Sequence, residues 1–222
     1  MSGPTFIASL SPAQGFSPIT TPAFSPSAGE LIVVKGATFS SGVLSTPIDS
    51  ASALTFTQRV SASNINSFTS AIWTAPVVTA PGSITITLAA SGGFRVWLTV
   101  ERWLSVSLAA SPATDQESGS TAPSGCTITT ARAGSAVTWL LTNSASSVLP
   151  GGFVTTSATP VLENQQGAVV ESVSFLYQAA PSAGVQHYGA TSGPGTWSWT
   201  TLAMEIQAAA PPLSGLAMVG IV

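Results

Sequence analysis

The stretch Pro81-Gly82-Ser83-Ile84-Thr85-Ile86-Thr87-Leu88 alternates apolar and polar residues without a break. Ile84, Ile86 and Leu88 fall on one face of an extended chain, and Ser83, Thr85 and Thr87 on the other. A period of two marks a half-buried antiparallel strand, and the Pro-Gly pair supplies the turn that starts it. The next run repeats the pattern. Phe94, Val96, Leu98 and Val100 share one face, while Arg95, Trp97, Thr99 and Glu101 share the other. Ser91-Gly92-Gly93 lies between the two runs, so they are expected to form a hairpin.

Working outward, strands are expected at residues 5–10, 30–37, 53–60, 70–74, 126–130, 136–142, 153–156, 169–179 and 196–207. The last changes phase. Trp197 and Trp199 hold one parity, and Leu202, Met204 and Ile206 hold the other. That predicts either a β-bulge near residues 200–202 or a strand that is apolar on both faces. No stretch carries a helical stripe, and β-branched and aromatic residues dominate. Many strands separated by Gly, Pro and Ser turns read as an all-β sandwich or barrel. Residues 1–207 are expected to form a single β-sandwich domain, with residues 1–29 as an N-terminal arm and first strands. Residues 111–125 are polar and read as a long exposed connection between its two halves. Pro211-Pro212 takes residues 208–222 out of the sheet as an apolar C-terminal tail.

Of the 222 residues, 45% are hydrophobic and only 6% charged, for a net charge of −3. An average soluble domain carries about 25% charged residues. The basic residues Lys35, Arg59, Arg95, Arg102 and Arg132 are scattered singly. A nucleic acid needs a basic stripe to neutralise its phosphates, so none is expected as a partner. No apolar run approaches the roughly 20 residues of a spanning helix, and membrane insertion is not expected. Residues 1–30 contain no Lys or Arg, hence no positively charged start of a signal peptide. A single Lys is little protection for sheet edges. Unless bulges and prolines cover them, other chains must. Such a surface suits a protein covered by neighbours in an assembly.

Chemistry-bearing residues are sparse. His187, the one imidazole, sits between Gly184 and Gly189 and reads as part of an exposed turn rather than a general base. No G-x-S-x-G elbow accompanies it. One His and one Cys are too few for zinc. Asp115 and Glu117 lack a calcium-loop pattern. Cys126 reads as a small apolar side chain. Glu163 and Glu171 could meet on folding as a glycosidase pair, but nothing in the spacing places them together. Gly193-Pro194-Gly195 is a turn without the Lys of a phosphate loop. No catalytic residue, metal or cofactor is therefore expected. Trp197 and Trp199 lie on one strand face roughly 7 Å apart. They could form a platform for sugar rings or a buried subunit contact. Trp97, beside Arg95 and Glu101, is the candidate for an exposed or interfacial ring.

Five segments together resemble a jelly-roll-like β-sandwich module of tailed-bacteriophage virion proteins. They are Gly29-Glu30-Leu31-Ile32-Val33-Val34, Leu54-Thr55-Phe56-Thr57-Gln58-Arg59, Ile72-Trp73-Thr74-Ala75-Pro76, Val100-Glu101-Arg102-Trp103-Leu104-Ser105-Val106 and Gly195-Thr196-Trp197-Ser198-Trp199. One departure stands out: the family strand often ends in Gly-Val, and Ser105 takes the Gly place here. The resemblance implies an antiparallel jelly-roll-like sandwich with extended N- and C-terminal segments, and a structural role without catalytic residues. The expected function is a minor tail protein that acts by subunit assembly in the virion, put together in the host cytoplasm. Its partners would be copies of itself, for instance in a trimer, and other virion proteins. Leu213, Leu216, Met218 and Val222 would serve as a clasp. The alternatives are a capsid decoration protein and a module that binds host-surface glycans through Trp97, Trp197 and Trp199.

Overall fold

Residues 31–37 and 96–103 carry apolar side chains on both parities, so each run needs a partner on both faces. The computed structural model supplies them. It describes residues 3–10, 14–39, 42–63, 68–108, 111–120, 124–144, 151–155, 160–168, 171–179, 183–192 and 198–209. In chain order the strands are β1 (Thr5–Leu10), β2 (Gly15–Phe16), β3 (Ile19–Thr20), β4 (Leu31–Phe39), β5 (Ile48–Asp49) and β6 (Thr57–Ser63). There follow β7 (Phe68–Pro76), β8 (Ile86–Leu88), β9 (Arg95–Leu104), β10 (Thr114–Gly119), β11 (Ser124–Thr130) and β12 (Ala136–Ser144). The remainder are β13 (Gly151–Thr155), β14 (Val161–Ala168), β15 (Glu171–Ala179), β16 (Gly184–Ser192) and β17 (Ser198–Ile206).

These strands form an all-β, antiparallel sandwich of four sheets. One large sheet runs β1-β9-β4-β7-β6, and the other β10-β17-β12-β15-β14. Two small sheets run β3-β8-β5 and β11-β16-β13. Alternation along the strands builds three seams between four layers. Ile32, Val34, Trp73, Leu98 and Val100 face Ile84, Ile86 and Leu88 of the first small sheet. The opposite parity, with Leu31, Val33, Ile72, Trp97 and Trp103, faces Leu140, Phe175, Leu202 and Met204 of the second large sheet. Val137, Trp139 and Leu141 turn away to Cys126, Ile128 and Tyr188 of the second small sheet. The inner strands of both large sheets, β4, β7, β9, β12 and β17, are thus buried on both faces.

Several expectations change. Ile84, Ile86 and Leu88 are buried as the alternation requires, but β8 and β9 do not form a hairpin. β8 pairs with β3 and β5, and β9 with β1 and β4. Gly92 (φ 77°) and Gly93 (φ 67°) let the connecting turn carry the chain from one layer to the next. The two apolar faces meet across a seam instead of lying side by side. The polar residues 111–125 are not a long loop: β10 pairs in regular register with β17, from Thr114 opposite Met204 to Gly119 opposite Trp199. An edge strand with little apolar surface to bury shows no hydrophobic period. His187 is not in a turn but within β16, opposite Thr127 of β11. Residues 53–56 precede β6, held by Asp49, whose carboxylate accepts from the N–H groups of Ala51, Ala53 and Leu54. β17 keeps unbroken register with both neighbours and buries both faces, the second of the two outcomes its phase change allowed.

The sheet edges are managed within the chain. Of the four edges of the large sheets, β1, β6 and β14 each carry a register shift: between Phe6 and Ala8, between Gln58 and Val60, and between Leu162 and Asn164. A bulge twists an edge away from further pairing.

Candidate functional site

The third bulge places a charge. Leu162 pairs with Leu176 and Asn164 with Phe175, which leaves Glu163 as the extra residue of β14. Its side chain turns inward and is fully enclosed. Lys35 on β4 and Glu101 on β9 project from the facing sheet into the same central seam, and both side chains are fully enclosed too. Lys35 Nζ forms ion pairs with Glu101 Oε1 and Glu163 Oε2 and donates to the Leu176 carbonyl at 3.0 Å. All three ammonium protons are thereby used. Trp103 Nε1 donates to Glu101 Oε2 at 2.8 Å, and Thr138 Oγ1 donates to Glu101 Oε1 at 2.6 Å. Glu163 Oε1 is buried without a hydrogen-bond partner. The Phe175 ring centroid lies 5.8 Å from Nζ.

One cation faces two carboxylates here, so the cluster is neutral only if one carboxyl keeps its proton. The unequal surroundings select Glu163. Burial, then the charge of Glu101, pushes its carboxyl up to about 8, against the opposing pull of Lys35. Burial would lower the Lys35 ammonium, but the charges of Glu101 and Glu163 outweigh it and hold the group above its ordinary value. The sequence held a faint signal of this site. Lys35 interrupts an apolar run from Leu31, and Glu101 shares parity with Trp97 and Trp103. Glu163 had none, because the polar run Glu163-Asn164-Gln165-Gln166 has no apolar period whose shift could mark a bulge. Glu163 meets Glu101 beside Lys35, and the cluster is closed to a sugar.

The expected contact residues lie elsewhere. Trp97 is buried in the central seam, 0% exposed, with its Nε1 donating to Gln14 Oε1 at 2.8 Å. Its face, read as open beside Arg95 and Glu101, is covered by the second large sheet. Trp199 is 4% exposed and packs in the third seam, where its ring covers Gly119. Neither ring is open to a glycan or to another subunit. Trp197, Leu213, Leu216, Met218 and Val222 lie outside the described residues. The His187 Nδ1 is 3.3 Å from Thr127 Oγ1, and its ring lies over Gly125. Cys126 is fully buried, and burial pushes its thiol up, away from reactivity. Among the described residues, no group of three His, Cys, Asp or Glu side chains is placed to hold a metal ion. No helix among them is long and apolar enough to cross a membrane.

The outer surface is poorer in charge than the composition. Glu30, Lys35, Asp49, Glu101 and Glu205 are buried, as is the Glu163 side chain. Among the described residues, Glu117 and Arg132 are the exposed charges, and Arg59, Arg95, Arg102 and Asp115 are half-buried. Val78 (81% exposed), Phe16 (73%) and Val43 (67%) present apolar side chains to the outside. An open groove of about 450 Å³ runs past Val78 along β6, lined also by Thr55, Thr57, Arg59 and Pro76. Comparison with protein-family models, curated proteins and solved structures finds no match to this chain.

Proposed function

We propose that this chain is a non-enzymatic structural subunit of a tailed-phage virion, a minor tail protein with a jelly-roll-like sandwich that acts by packing against other copies and other virion proteins. One observation carries the reading: Lys35 and the carboxyl groups of Glu30, Asp49, Glu101, Glu163 and Glu205 are drawn into the interior, so that few charges remain among the Ser, Thr, Ala, Pro and apolar side chains of the described surface. A soluble monomer normally carries about 25–35% charged residues on its surface. Contact with neighbours would remove such a face from water. Since three of the four large-sheet edges are bulged, those contacts use faces and apolar tips, such as Phe16 and Val78, rather than added strands. Residues 213–222 would act as a clasp.

Sedimentation of the purified chain across concentration tests this. Self-association that depends weakly on salt is expected, because few charges take part. Phe16→Ser with Val78→Ser should weaken it, and removal of residues 213–222 should lower incorporation into particles without loss of the β fold. A monomer at high concentration, with no neighbour against these residues in any native particle, overturns the proposal. Copy number per particle separates a tail subunit from a capsid decoration protein, which would be present in hundreds.

A further inference from the structure

The central cluster holds the parts of an amide-forming site, independent of what the whole chain assembles into. Lys35 supplies an amine, Glu163 a carboxyl in direct contact with it, and Glu101 a second carboxylate on the same nitrogen. The two carboxyls are not equivalent. Both oxygens of Glu101 accept hydrogen bonds from fixed donors, Trp103 Nε1 and Thr138 Oγ1, which hold the carboxylate in one position against the nitrogen. Glu163 meets the amine through Oε2 and lies against Glu101, and its Oε1 accepts nothing. All three side chains are sealed from water.

We propose that Lys35 and Glu163 join in an intramolecular amide bond, with Glu101 as the proton shuttle, so that the two large sheets become covalently clamped across their seam.

A proton passes from the Lys35 ammonium to the Glu101 carboxylate and frees the nitrogen lone pair. The nitrogen adds to Cδ of the protonated Glu163 carboxyl, forming the C–N bond. Nζ loses a second proton as the tetrahedral centre forms, and Glu101 relays protons within that centre. The Glu163 C–OH bond breaks and the hydroxyl departs as water. The amine and the carboxylic acid become amide and water, and Glu101 ends neutral with the proton first taken from the ammonium. No oxidant, reductant or other co-reactant is needed.

Two physical terms favour the step. The fold holds amine and carboxyl in contact over 128 residues of sequence, which removes the entropic cost of bringing them together. The reaction also erases a buried ammonium–carboxylate pair, whose desolvation is expensive. The raised Glu163 carboxyl supplies the protonated, electrophilic form near neutral pH. The raised Lys35 ammonium opposes attack, and direct contact with Glu101 is what makes its deprotonation local.

Intact-mass measurement of the purified, denatured full chain tests the proposal. The expected mass is lower than the sequence mass by one water, and proteolysis should yield a branched peptide joining residues 35 and 163. Glu101→Gln, close in shape, should keep the full mass expected for its sequence, as should Lys35→Arg. Wild-type chain at full sequence mass after prolonged incubation overturns the proposal, and this result does not depend on any variant folding. Water loss that maps elsewhere, or Glu101→Gln joined as completely as wild type, also overturns it.

Discussion

The two outer seams and the central seam solve the same packing problem with different chemistry. Between β4 and the first small sheet, Ile32, Val34, Ile86 and Leu88 close an apolar interface. Val137, Leu141, Cys126 and Ile128 do the same at the far side. The central seam has its own aliphatic and aromatic shell, yet encloses Lys35, Glu101 and Glu163. Apolar faces can slide against each other at small cost. A buried cation held by the carboxylate of Glu101 on β9 and by the carboxyl of Glu163 at the bulge of β14 accepts only one alignment of the two sheets. The difference shows where the chain uses its scarce charge: at the contact between its first and second halves, where register is least fixed by sequence-local pairing.

The largest expected effect comes from breaking the cluster. Relative to chain whose Lys35 and Glu163 are not joined, Lys35→Met leaves two carboxyls buried without a cation, and should cost about 3–5 kcal/mol, read by denaturant unfolding. Leu88→Ala in the first seam should cost about 2–5 kcal/mol by opening a cavity. The comparison is sharpened by removing the whole cluster. Lys35→Met with Glu101→Leu and Glu163→Leu should restore much of the stability lost in Lys35→Met alone, since a buried ion cluster replaced by apolar groups is often neutral or stabilising. If the triple variant remains as unstable as the single one, the cluster contributes more than alignment.

Acidity separates the seams next. In chain whose Lys35 and Glu163 are not joined, the folded Glu163 holds its proton up to about pH 8, while the unfolded carboxyl releases it near its ordinary value of 4.5. The folded state therefore binds more protons between these values, and stability should fall as pH rises through that window, then level off. Glu163→Gln should flatten this slope. Leu88→Ala should leave it unchanged. Chain carrying the amide has no Glu163 proton to lose and should lack the slope from the start. Unfolding midpoints from pH 5 to 9, on samples of known mass, decide each case.

Much of the fold was legible because strand parity is a local property. The alternation in residues 83–88 and the even-numbered face of β9 fell where expected. What failed was knowledge of the third dimension. The odd-numbered face of β9 seemed open beside Arg95 only because the sheet that covers Trp97 comes far later in the sequence, in places such as Phe175 and Leu202. β10 and β16 were missed because Thr114-Asp115-Gln116-Glu117 and Val185-Gln186-His187 carry no apolar period: their order comes from backbone pairing with β17 and β11. The need for edge cover was overstated for a related reason. Bulges break the period by which strands are recognised, so the devices that protect β1, β6 and β14 left no trace in the pattern.

Gly36 tests how tightly the first seam is closed. A Cβ there would lie 2.3 Å from Leu88 Cδ2 and 3.4 Å from Trp73 Cζ3. Gly36→Ala should cost about 1–3 kcal/mol through overpacking, with no change in the pH slope, because Gly36 faces away from Lys35. Combined with Leu88→Ala, the loss should be less than additive, since the cavity admits the added methyl. Additive losses would mean that backbone, not the Leu88 side chain, resists the change.

The smallest effect belongs to neither seam. Ser105 ends β9 with φ 57°, a left-handed conformation that costs a residue with a side chain and suits glycine. The turn is also stitched to the end of β17: Ala209 donates to the Ser105 carbonyl at 3.1 Å, and Ser107 donates to the Gln207 carbonyl at 2.9 Å. Those bonds use backbone groups and survive substitution. Ser105→Gly should accordingly raise stability by up to about 1 kcal/mol, the relief of the Cβ clash less the added freedom of the unfolded chain. It should do so equally at pH 5 and pH 9. A gain that changes with pH would couple this turn to Glu101, four residues back on the same strand, and would show that the central seam reaches further along β9 than its contacts do.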